Sequence, residues 1–332
     1  MDKNAFLAMG LLAVLQAAGC QPKGWVIKPA PVDETLQERV IYRDEGLFVS
    51  DKIAVIDVDG VLLNQRQAGL LGWGENPVSL FIEKMDAAQS DPAVKAMVLR
   101  INSPGGGVTA SDIMHHRLMQ FRAARKAPVV AVIEDVGASG GYYLACGAER
   151  IVAHPTSVTG SIGVIVQTVS FAGTMRMIGV DAKAVTSGPR KDLASPLKPL
   201  DKEDLKIIQG MVNDFHERFI AVVDGGRPEL SAEQVRALAD GRVYTGQQAQ
   251  ANGLVDDLGY VMDAIRQAKR LSGSERVKVV MYARPLGHRA NAYSRDQAPA
   301  PQVNFLNVNV PSLLDMTRPR LLYLWTGQTA GR

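Results

Sequence analysis

The sequence predicts an α/β protein built around a largely parallel β-sheet. Short apolar runs rich in β-branched residues recur at residues 53–58, 97–101 and 129–133, as expected of buried strands. Longer segments with helical spacing separate them, so strand and helix alternate in units of roughly 30 residues, which is typical of parallel pairing with helical crossovers. The second and third runs each lead into a glycine-rich turn, at residues 105–107 and 137–141.

The predicted elements follow one another in a regular order. Pro77 suits the first turn of a helix, and the apolar residues after it have helical spacing. A second helix over residues 108–126 ends before Pro128. The remaining predicted elements are a short helix over 139–146, strands over 150–153 and 162–166, helices over 202–223, 232–239 and 246–252, a segment over 259–271 that closes the compact region, and a strand over 277–282.

The N-terminus has the pattern of an export signal. An uncharged run over residues 5–19 follows Lys3, and it is shorter than the roughly 20 residues that span a bilayer. Cys20 comes directly after Ala-Ala-Gly, which is similar to the bacterial lipobox. We expect a lipoprotein-type signal peptide over 1–19, acylation of Cys20, and a tether over 20–49 to the membrane of a bacterial cell envelope. The alternative is an ordinary signal peptide or an uncleaved anchor.

Composition excludes several other classes of protein. Among 332 residues the acids and bases are interspersed, and the net charge of +3 comes with no basic stripe, so we expect no nucleic-acid partner. Cys146 is the only cysteine besides Cys20, which leaves no disulfide framework, and its apolar neighbours predict a small buried side chain. No paired His/Cys spacing is present, so neither a metal nor another cofactor is expected.

Ser139 is the candidate nucleophile. It stands at a predicted strand-to-helix turn between small residues, and glycine-rich turns at two strand ends can aim backbone N–H groups at an oxyanion. Either loop alone could instead bind a phosphate or simply turn the chain, but two such loops with a serine in one favour acyl chemistry. Among five histidines, His154 is the one candidate for a general base on sequence alone.

The sequence contains a series of motifs in a fixed order. They are Asn-Ser-Pro-Gly-Gly at 102–106, Gly-Ala-Ser-Gly-Gly-Tyr-Tyr at 137–143, Thr-Gly-Ser-Ile-Gly-Val at 159–164, Lys-Asp at 191–192, Gly-Arg-Val-Tyr-Thr-Gly at 241–246 and Gly-Leu-Val-Asp at 253–256. This series resembles the signal peptide peptidase A (SppA) family over residues 53–271, and the complete series is far more specific than any single motif. The resemblance implies the ClpP/crotonase-like fold, a spiral of ββα units with helical additions, with a peptidase domain over 50–272 and an extension of unknown role over 273–332.

The resemblance also assigns roles to individual residues. It implies Ser139 as nucleophile, Lys191 as general base, N–H groups of Gly105 and Gly140 as oxyanion donors, and Ser161 as the residue that orients the lysine amine. In the family the base reaches the serine of an adjacent subunit, so a homo-oligomer with shared active sites is implied. Cleaved signal peptides or misfolded exported proteins are the implied substrates.

The lysine assignment sets a physical condition. A lysine amine accepts a proton at neutral pH only where it is desolvated or near other positive charge. Arg190 and Asp192 flank Lys191 with opposite charges, so we expect burial to keep the amine neutral.

Three alternatives remain beside the dyad. One is a Ser-His peptidase that uses His154. Another is crotonase-type acyl-CoA chemistry with Glu134 and Asp135 as carboxylates, against which the export signal argues. The last is a lipid-anchored scaffold that binds peptides without cutting them.

Overall fold

A mostly parallel β-sheet organises the chain. The computed structural model describes residues 35–66, 68–69, 72–73, 75–284 and 321–326. The strands are β1 (Gln37–Arg43), β2 (Lys52–Leu62), β3 (Ala68–Gly69), β4 (Gly72–Trp73), β5 (Val94–Gly107), β6 (Val129–Ala138), β7 (Arg150–Ala153), β8 (Val158–Gly160), β9 (Ile165–Val166), β10 (Val243–Thr245), β11 (Asp257–Leu258), β12 (Lys278–Ala283) and β13 (Leu321–Leu324). The helices are α1 (Pro77–Ser90), α2 (Val108–Arg125), α3 (Gly140–Ala145), α4 (Ala172–Met177), α5 (Lys202–Gly226), α6 (Ala232–Leu238), α7 (Gly246–Ala251) and α8 (Val261–Ser272).

The main sheet has the strand order β1-β12-β2-β5-β6-β7-β11. The neighbours from β12 to β11 pair in parallel, and β1 closes one edge in the antiparallel sense. The larger apolar cluster lies under α1, α2, α3 and α5, and a smaller one lies under α8 on the opposite face. Burial on both faces explains why the central strands are continuous apolar runs instead of alternating ones.

The central strands are longer than their apolar runs predict. β5 continues through the glycines to Gly107, because its pairing with β2 extends as far as Gly106. β6 likewise runs to Ala138, and its last three residues pair with β8, which the sequence did not predict. Of the strand expected over 162–166, only Ile165–Val166 is extended.

The sheet also includes residues outside the expected domain boundaries. Part of the segment expected to be a tether forms β1, which pairs with β12 from the expected C-terminal extension. β12 in turn lies between β1 and β2, so residues 278–283 belong to the body of the sheet. β13 pairs with β5. β12 was predicted as a strand, whereas β1 and β13 were missed because their apolar patterns are short and their partners are distant in sequence.

A buried ion pair links the two central strands. Asp57 on β2 and Arg100 on β5 are cross-strand partners, and the guanidinium Nε and Nη2 atoms lie 2.8 and 2.7 Å from Asp57 Oδ1. The two side chains are 3% and 1% exposed, so neither charge is compensated by bulk water. Removal of one partner would break a pairing between two buried charges, which is strongly destabilising.

We therefore expect Asp57→Ala to lower the free energy of unfolding by about 3–5 kcal/mol. Urea denaturation monitored by circular dichroism measures the change. The matched control is Glu217→Ala, because Glu217 and its partner Arg236 are both 57% exposed and such pairs contribute at most about 1 kcal/mol. Equal losses in the two variants would contradict this account.

Candidate active site

Ser139 occupies a strained turn between β6 and α3. Its φ of 52° and ψ of −115° lie in a region that non-glycine residues rarely adopt. Two backbone hydrogen bonds hold this conformation: the Ser139 N–H donates to the Gly160 carbonyl at 2.8 Å, and the Tyr143 N–H donates to the Ser139 carbonyl at 2.8 Å. Strain that the surrounding structure enforces in this way is typical of functional positions.

Ser161 lies beside Ser139 at the end of the neighbouring strand. In the parallel register of β6 and β8, Ala138 pairs with Gly160. Ser139 follows Ala138 and Ser161 follows Gly160, so the two serines come directly after a cross-strand pair. Ser161 also has a positive φ, 51°, and its N–H donates to the Arg242 carbonyl at 2.7 Å. The structure therefore brings the predicted nucleophile and the predicted orienting residue together.

Gly105 and Gly140 are in direct backbone contact. Gly105 has a φ of 98°, and a Cβ atom built on it would lie 2.6 Å from the Gly140 nitrogen. A Cβ atom built on Gly140 would lie 2.3 Å from Ser111 Oγ and 3.1 Å from Gly105 Cα. Only glycine fits at either position, and the two turns predicted to hold an oxyanion meet next to Ser139.

The Gly105 N–H group already has a partner. It donates to Ser103 Oγ at 3.1 Å, and the Ser103 hydroxyl donates to the Gly60 carbonyl at 2.6 Å. An oxyanion bound there would share the Gly105 N–H with that hydroxyl. Ser103, which is buried, is a functional candidate that the motif contained but that sequence reasoning did not single out.

Lys191 lies in an exposed turn. Its backbone N–H donates to the Gly188 carbonyl at 3.2 Å, and its side chain is open to solvent. Within the described part of one chain, no hydrogen bond joins Lys191 to Ser139. The single chain thus brings together every predicted site residue of the peptidase domain except the base.

The charges next to Lys191 are paired with other residues. Arg190 Nη1 lies 2.8 Å from Asp204 Oδ1, and Lys198 Nζ lies 2.9 Å from Asp204 Oδ2 and 2.8 Å from Asp192 Oδ1. The Asp204 side chain is 0% exposed, so this carboxylate anchors the turn on both sides of Lys191. The charges of Arg190 and Asp192 therefore do not cancel each other as expected, because each residue forms an ion pair with another partner. The Lys191 amine takes part in neither of these ion pairs.

His154 lies far from the nucleophile along the sheet. The register of β6 and β7 places it opposite Glu134, five residues before Ser139, which corresponds to about 16 Å along a strand. Its ring centroid is 5.0 Å from that of Tyr260, and burial lowers its pKa while the Glu134 charge partly opposes this. This placement does not favour His154 as the base.

The C-terminal strand β13 runs across the glycine turn. It pairs antiparallel with residues 105–107 of β5 on one side and with β9 on the other, and the Trp325 N–H donates to the Pro104 carbonyl at 2.9 Å. The sequence predicted only an extension of unknown role over 273–332, which contains this strand. Only the pairing reveals that this segment belongs to the site.

Tyr323 of β13 fills an aromatic pocket next to α3. Its ring lies 5.2 Å from Tyr143 in a stacked arrangement and 4.7 Å from Phe219, and its hydroxyl donates to the Phe215 carbonyl at 2.6 Å. The Tyr323 side chain is fully buried, and this burial raises its pKa well above the usual value. Tyr143 also contacts His115 edge to face, with ring centroids 5.2 Å apart.

Comparison with known proteins identifies the family. The model of Peptidase family S49 matches residues 121–275, a range that includes Ser139, Ser161 and Lys191. A protein of Enterococcus faecium named "Putative signal peptide peptidase SppA" is 34% identical over 231 residues, which are 70% of this chain and 67% of that protein. The chain belongs to peptidase family S49. It is a serine-type peptidase, and both the predicted resemblance to SppA and the predicted ClpP/crotonase-like fold are confirmed.

Other S49 relatives are longer than this chain. Protease 4 of Salmonella typhi is 38% identical over 66% of this chain and 34% of its own length. The Arabidopsis thaliana protein named "Serine protease SPPA, chloroplastic" is 31% identical over 71% of this chain and 35% of its own length. The chain therefore spans about a third of these two relatives.

Two features of the expected membrane attachment fall outside the structure. Cys20 and the signal peptide expected over 1–19 lie outside the described residues. Among the helices that the structure does describe, none is long and apolar enough to cross a membrane.

The contact between the glycine turns predicts the effect of a single methyl group. We expect Gly140→Ala to reduce peptidase activity at least tenfold and to lower the free energy of unfolding by about 1–3 kcal/mol, because the new Cβ overlaps Ser111 Oγ. Gly210→Ala on α5 is the control: nothing lies within 4 Å of its Cβ position, so a gain of about 0.5–1 kcal/mol is expected. A fully active, stable Gly140→Ala enzyme would contradict the described geometry.

His115 predicts a pH dependence of stability. Burial lowers its pKa from 6.5 to about 4 in the folded chain, so the unfolded chain binds the proton more tightly. Neutral His115 contributes to the free energy of unfolding, and this contribution is fully present above pH 6.5. It is lost as the pH falls towards 4, by about 2–3 kcal/mol in total. Urea denaturation at pH 7.0, 5.5 and 4.5 should show this loss in the wild type. His115→Phe, which cannot titrate, should show a smaller loss over the same range, and identical pH profiles would rule His115 out as the cause.

Proposed function

We propose that this serine peptidase hydrolyses peptide bonds with a Ser/Lys dyad, in which Ser139 is the nucleophile and Lys191 is the general base. The observation that carries the proposal is the backbone of Ser139. A non-glycine residue is held at positive φ where three strand ends meet, between the contacting glycines and Ser161. A serine held in this way can present its hydroxyl to a substrate that lies along the glycine turn.

The reaction follows from this arrangement. The Lys191 amine accepts the hydroxyl proton as Ser139 Oγ attacks the substrate carbonyl. The N–H groups of Gly140 and Gly105 stabilise the oxyanion, and their mutual contact fixes them before substrate arrives. The protonated amine then donates its proton to the substrate nitrogen as the C–N bond breaks, which leaves an ester on Ser139. The neutral amine next accepts a proton from the attacking water and returns it to Ser139 Oγ as the ester bond breaks.

The base comes from an adjacent protomer in this proposal. Lys191 of a single chain is exposed and makes no hydrogen bond to Ser139, whereas a neutral amine requires a desolvated cleft. Assembly into a homo-oligomer would provide both contact and desolvation. The ion pairs of Asp204 with Arg190 and Lys198 support this role, since they hold the turn that presents the amine.

The biological setting rests on the N-terminal sequence and on the family. The lipobox-like residues before Cys20 support a lipid-anchored protein of the bacterial cell envelope. The S49 relative named for signal peptide cleavage supports signal peptides or unfolded exported proteins as substrates. Acylation of Cys20 would be tested by mass spectrometry of the membrane fraction, with Cys20→Ala as the control.

The dyad predicts two inactive variants. We expect Ser139→Ala and Lys191→Ala each to lose at least 99% of casein hydrolysis, on the order of the losses seen when a nucleophile or its base is removed. A fluorophosphonate probe should label the wild type but not Ser139→Ala. Lys183→Ala, an exposed lysine in the same connection, is the control and should remain active.

The outcomes also separate the rival functions. An active Lys191→Ala enzyme whose activity is lost in His154→Ala would replace the dyad with a Ser-His pair. A purified wild-type oligomer that turns over neither casein nor short peptides would favour a scaffold that binds peptides without cutting them.

A mixing experiment tests the shared site. Ser139→Ala and Lys191→Ala protomers, mixed in equal amounts and reassembled, should recover about a quarter of wild-type activity, because that share of interfaces combines an intact serine with an intact lysine. Each variant reassembled alone is the control and should stay inactive. Failure of the mixture to regain activity, with mixed oligomers verified by native mass spectrometry, would contradict a base supplied across the interface.

A further inference from the structure

The turn that joins β1 to β2 presents two large apolar side chains to solvent. Phe48 is 95% exposed and Leu47 is 83% exposed, and Phe48 has a φ of 58°. A bulky residue rarely adopts this left-handed conformation, because it is strained. At this exposure the Phe48 ring gains almost no burial that could offset the strain. Folding alone therefore does not explain a phenylalanine at this position.

This turn lies at the end of the sheet opposite the candidate active site. β1 runs antiparallel to β12, and Arg43 at its end pairs with Lys278, the first residue of β12. Lys278 pairs in turn with Lys52, the first residue of β2. Ser139 instead follows the last residue of β6, at the carboxyl end of the parallel strands. The two ends are about 30 Å apart, because a strand of ten residues such as β6 covers that distance.

The surface around Phe48 is formed by several connections between strands and helices. The Asp44 N–H donates to the Val277 carbonyl at 3.0 Å, so the turn packs on the connection that precedes β12. Leu271, in the last turn of α8, lines a groove together with residues 94–95 and 124–128. We call basal face the surface formed by residues 44–51, 94–95, 124–128 and 270–276.

The basal face carries an excess of positive charge around its apolar tip. No ion pair within the described residues involves Lys126, Arg270 or Arg276, whereas the half-buried Asp44 is paired with Lys269 Nζ at 2.7 Å. Exposed cations beside large apolar side chains match the interface of a bilayer that contains anionic lipid. The exposed charged side chains of the basal face are two acids and four bases: Glu45, Glu275, Lys95, Lys126, Arg270 and Arg276.

We propose that the basal face lies on the surface of an anionic lipid bilayer, with Phe48 and Leu47 inserted among the lipid headgroups. The phosphate groups would neutralise the surrounding cations, and the headgroup region would cover the apolar tip. A second copy docked face to face would bring the same positive excess together, which disfavours self-association through this face. The proposal goes beyond the proposed function and does not depend on Ser139 or Lys191.

This orientation has a consequence for the active site. The glycine turns would lie about 30 Å above the bilayer, open to peptides that arrive from the aqueous side. An anchor at Cys20 is compatible with it, because residues 21–36 span up to about 55 Å when extended and β1 covers only about 20 Å.

A fluorophore that responds to its environment tests the contact. The full-length chain with Cys20→Ala and Leu271→Cys is labelled with NBD, since Cys146 is buried and should not react. With phosphatidylcholine vesicles that contain about one third phosphatidylglycerol, the emission should rise at least threefold and shift to shorter wavelength, and pure phosphatidylcholine should give less than half of this rise. Val185→Cys is the matched reporter, because Val185 is 98% exposed on the connection between α4 and α5, and it should respond to neither vesicle.

Two results of this experiment would overturn the proposal. One is a label at position 271 that responds to anionic vesicles no more than the label at position 185. The other is an equal response to the two kinds of vesicle, which would remove the role of the cations. A rise in emission with protein concentration in the absence of vesicles would replace the bilayer with a second copy of the chain.

Substitutions in the labelled Leu271→Cys chain separate the apolar and the charged contributions. Phe48→Gly and Lys126→Glu should each lower the response to anionic vesicles at least threefold. Lys183→Glu reverses an exposed charge outside the basal face and is the matched control, with a response within 1.5-fold of the parent. Unchanged responses in both Phe48→Gly and Lys126→Glu would contradict the proposal.

The Phe48→Gly variant also distinguishes a membrane contact from a role in folding. Glycine adopts a φ of 58° without strain, so the urea midpoint of Phe48→Gly should equal or exceed that of the parent chain. A lower midpoint would mean that Phe48 stabilises the fold, and would overturn its assignment to the bilayer.

A second reporter covers the possibility that Leu271→Cys fails to fold. Phe48→Cys removes almost no buried surface, so an NBD label can be placed there without disturbing the core. Its emission should rise at least threefold with anionic vesicles, and a label at position 48 that stays in water would overturn the proposal.

Discussion

The backbone contact between Gly105 and Gly140 is the constraint on which the site depends. It exists because β5 and β6 run parallel past their apolar cores and end side by side, so that the turns after them cannot avoid each other. A side chain at either position would force the two turns apart. Ser139 follows from the same contact, because its strained turn is the link between β6 and the helix that begins at Gly140.

The sequence predicts the elements whose apolar periodicity is strong. The central strands and the helices α2 and α5 were predicted because burial on a sheet face or a helix face imposes a regular pattern. β1, β8 and β13 were missed for one shared reason: each is short, and each exists only through pairing with a strand distant in sequence. Their stability comes from tertiary hydrogen bonds, which single-residue preferences do not contain.

The residues of the candidate site also differ in whether the sequence alone could place them. Residues carried by the strand ends, such as Ser139, Gly105 and Ser161, could be placed from glycine content and motif order, since the carboxyl ends of parallel strands converge. The position of Lys191 could not be derived from any local pattern, because it lies in an exposed turn whose proposed partner is on another protomer. Tyr323 was unforeseeable for the opposite reason: its surroundings in the sequence are only apolar, and its pocket comes from α3 and α5.

The extension of β5 through its glycines has a consequence for solubility. The pairing of β5 with β6 ends at Ser103, and without another partner the residues after it would expose unpaired N–H and C=O groups on that side. Such edges invite pairing with the edges of other molecules. Glycine residues 105–107 carry no side chains that could block this approach. With β13 on that side, the peptide groups of residues 105–107 are paired, so this edge of the sheet is shielded from indiscriminate aggregation.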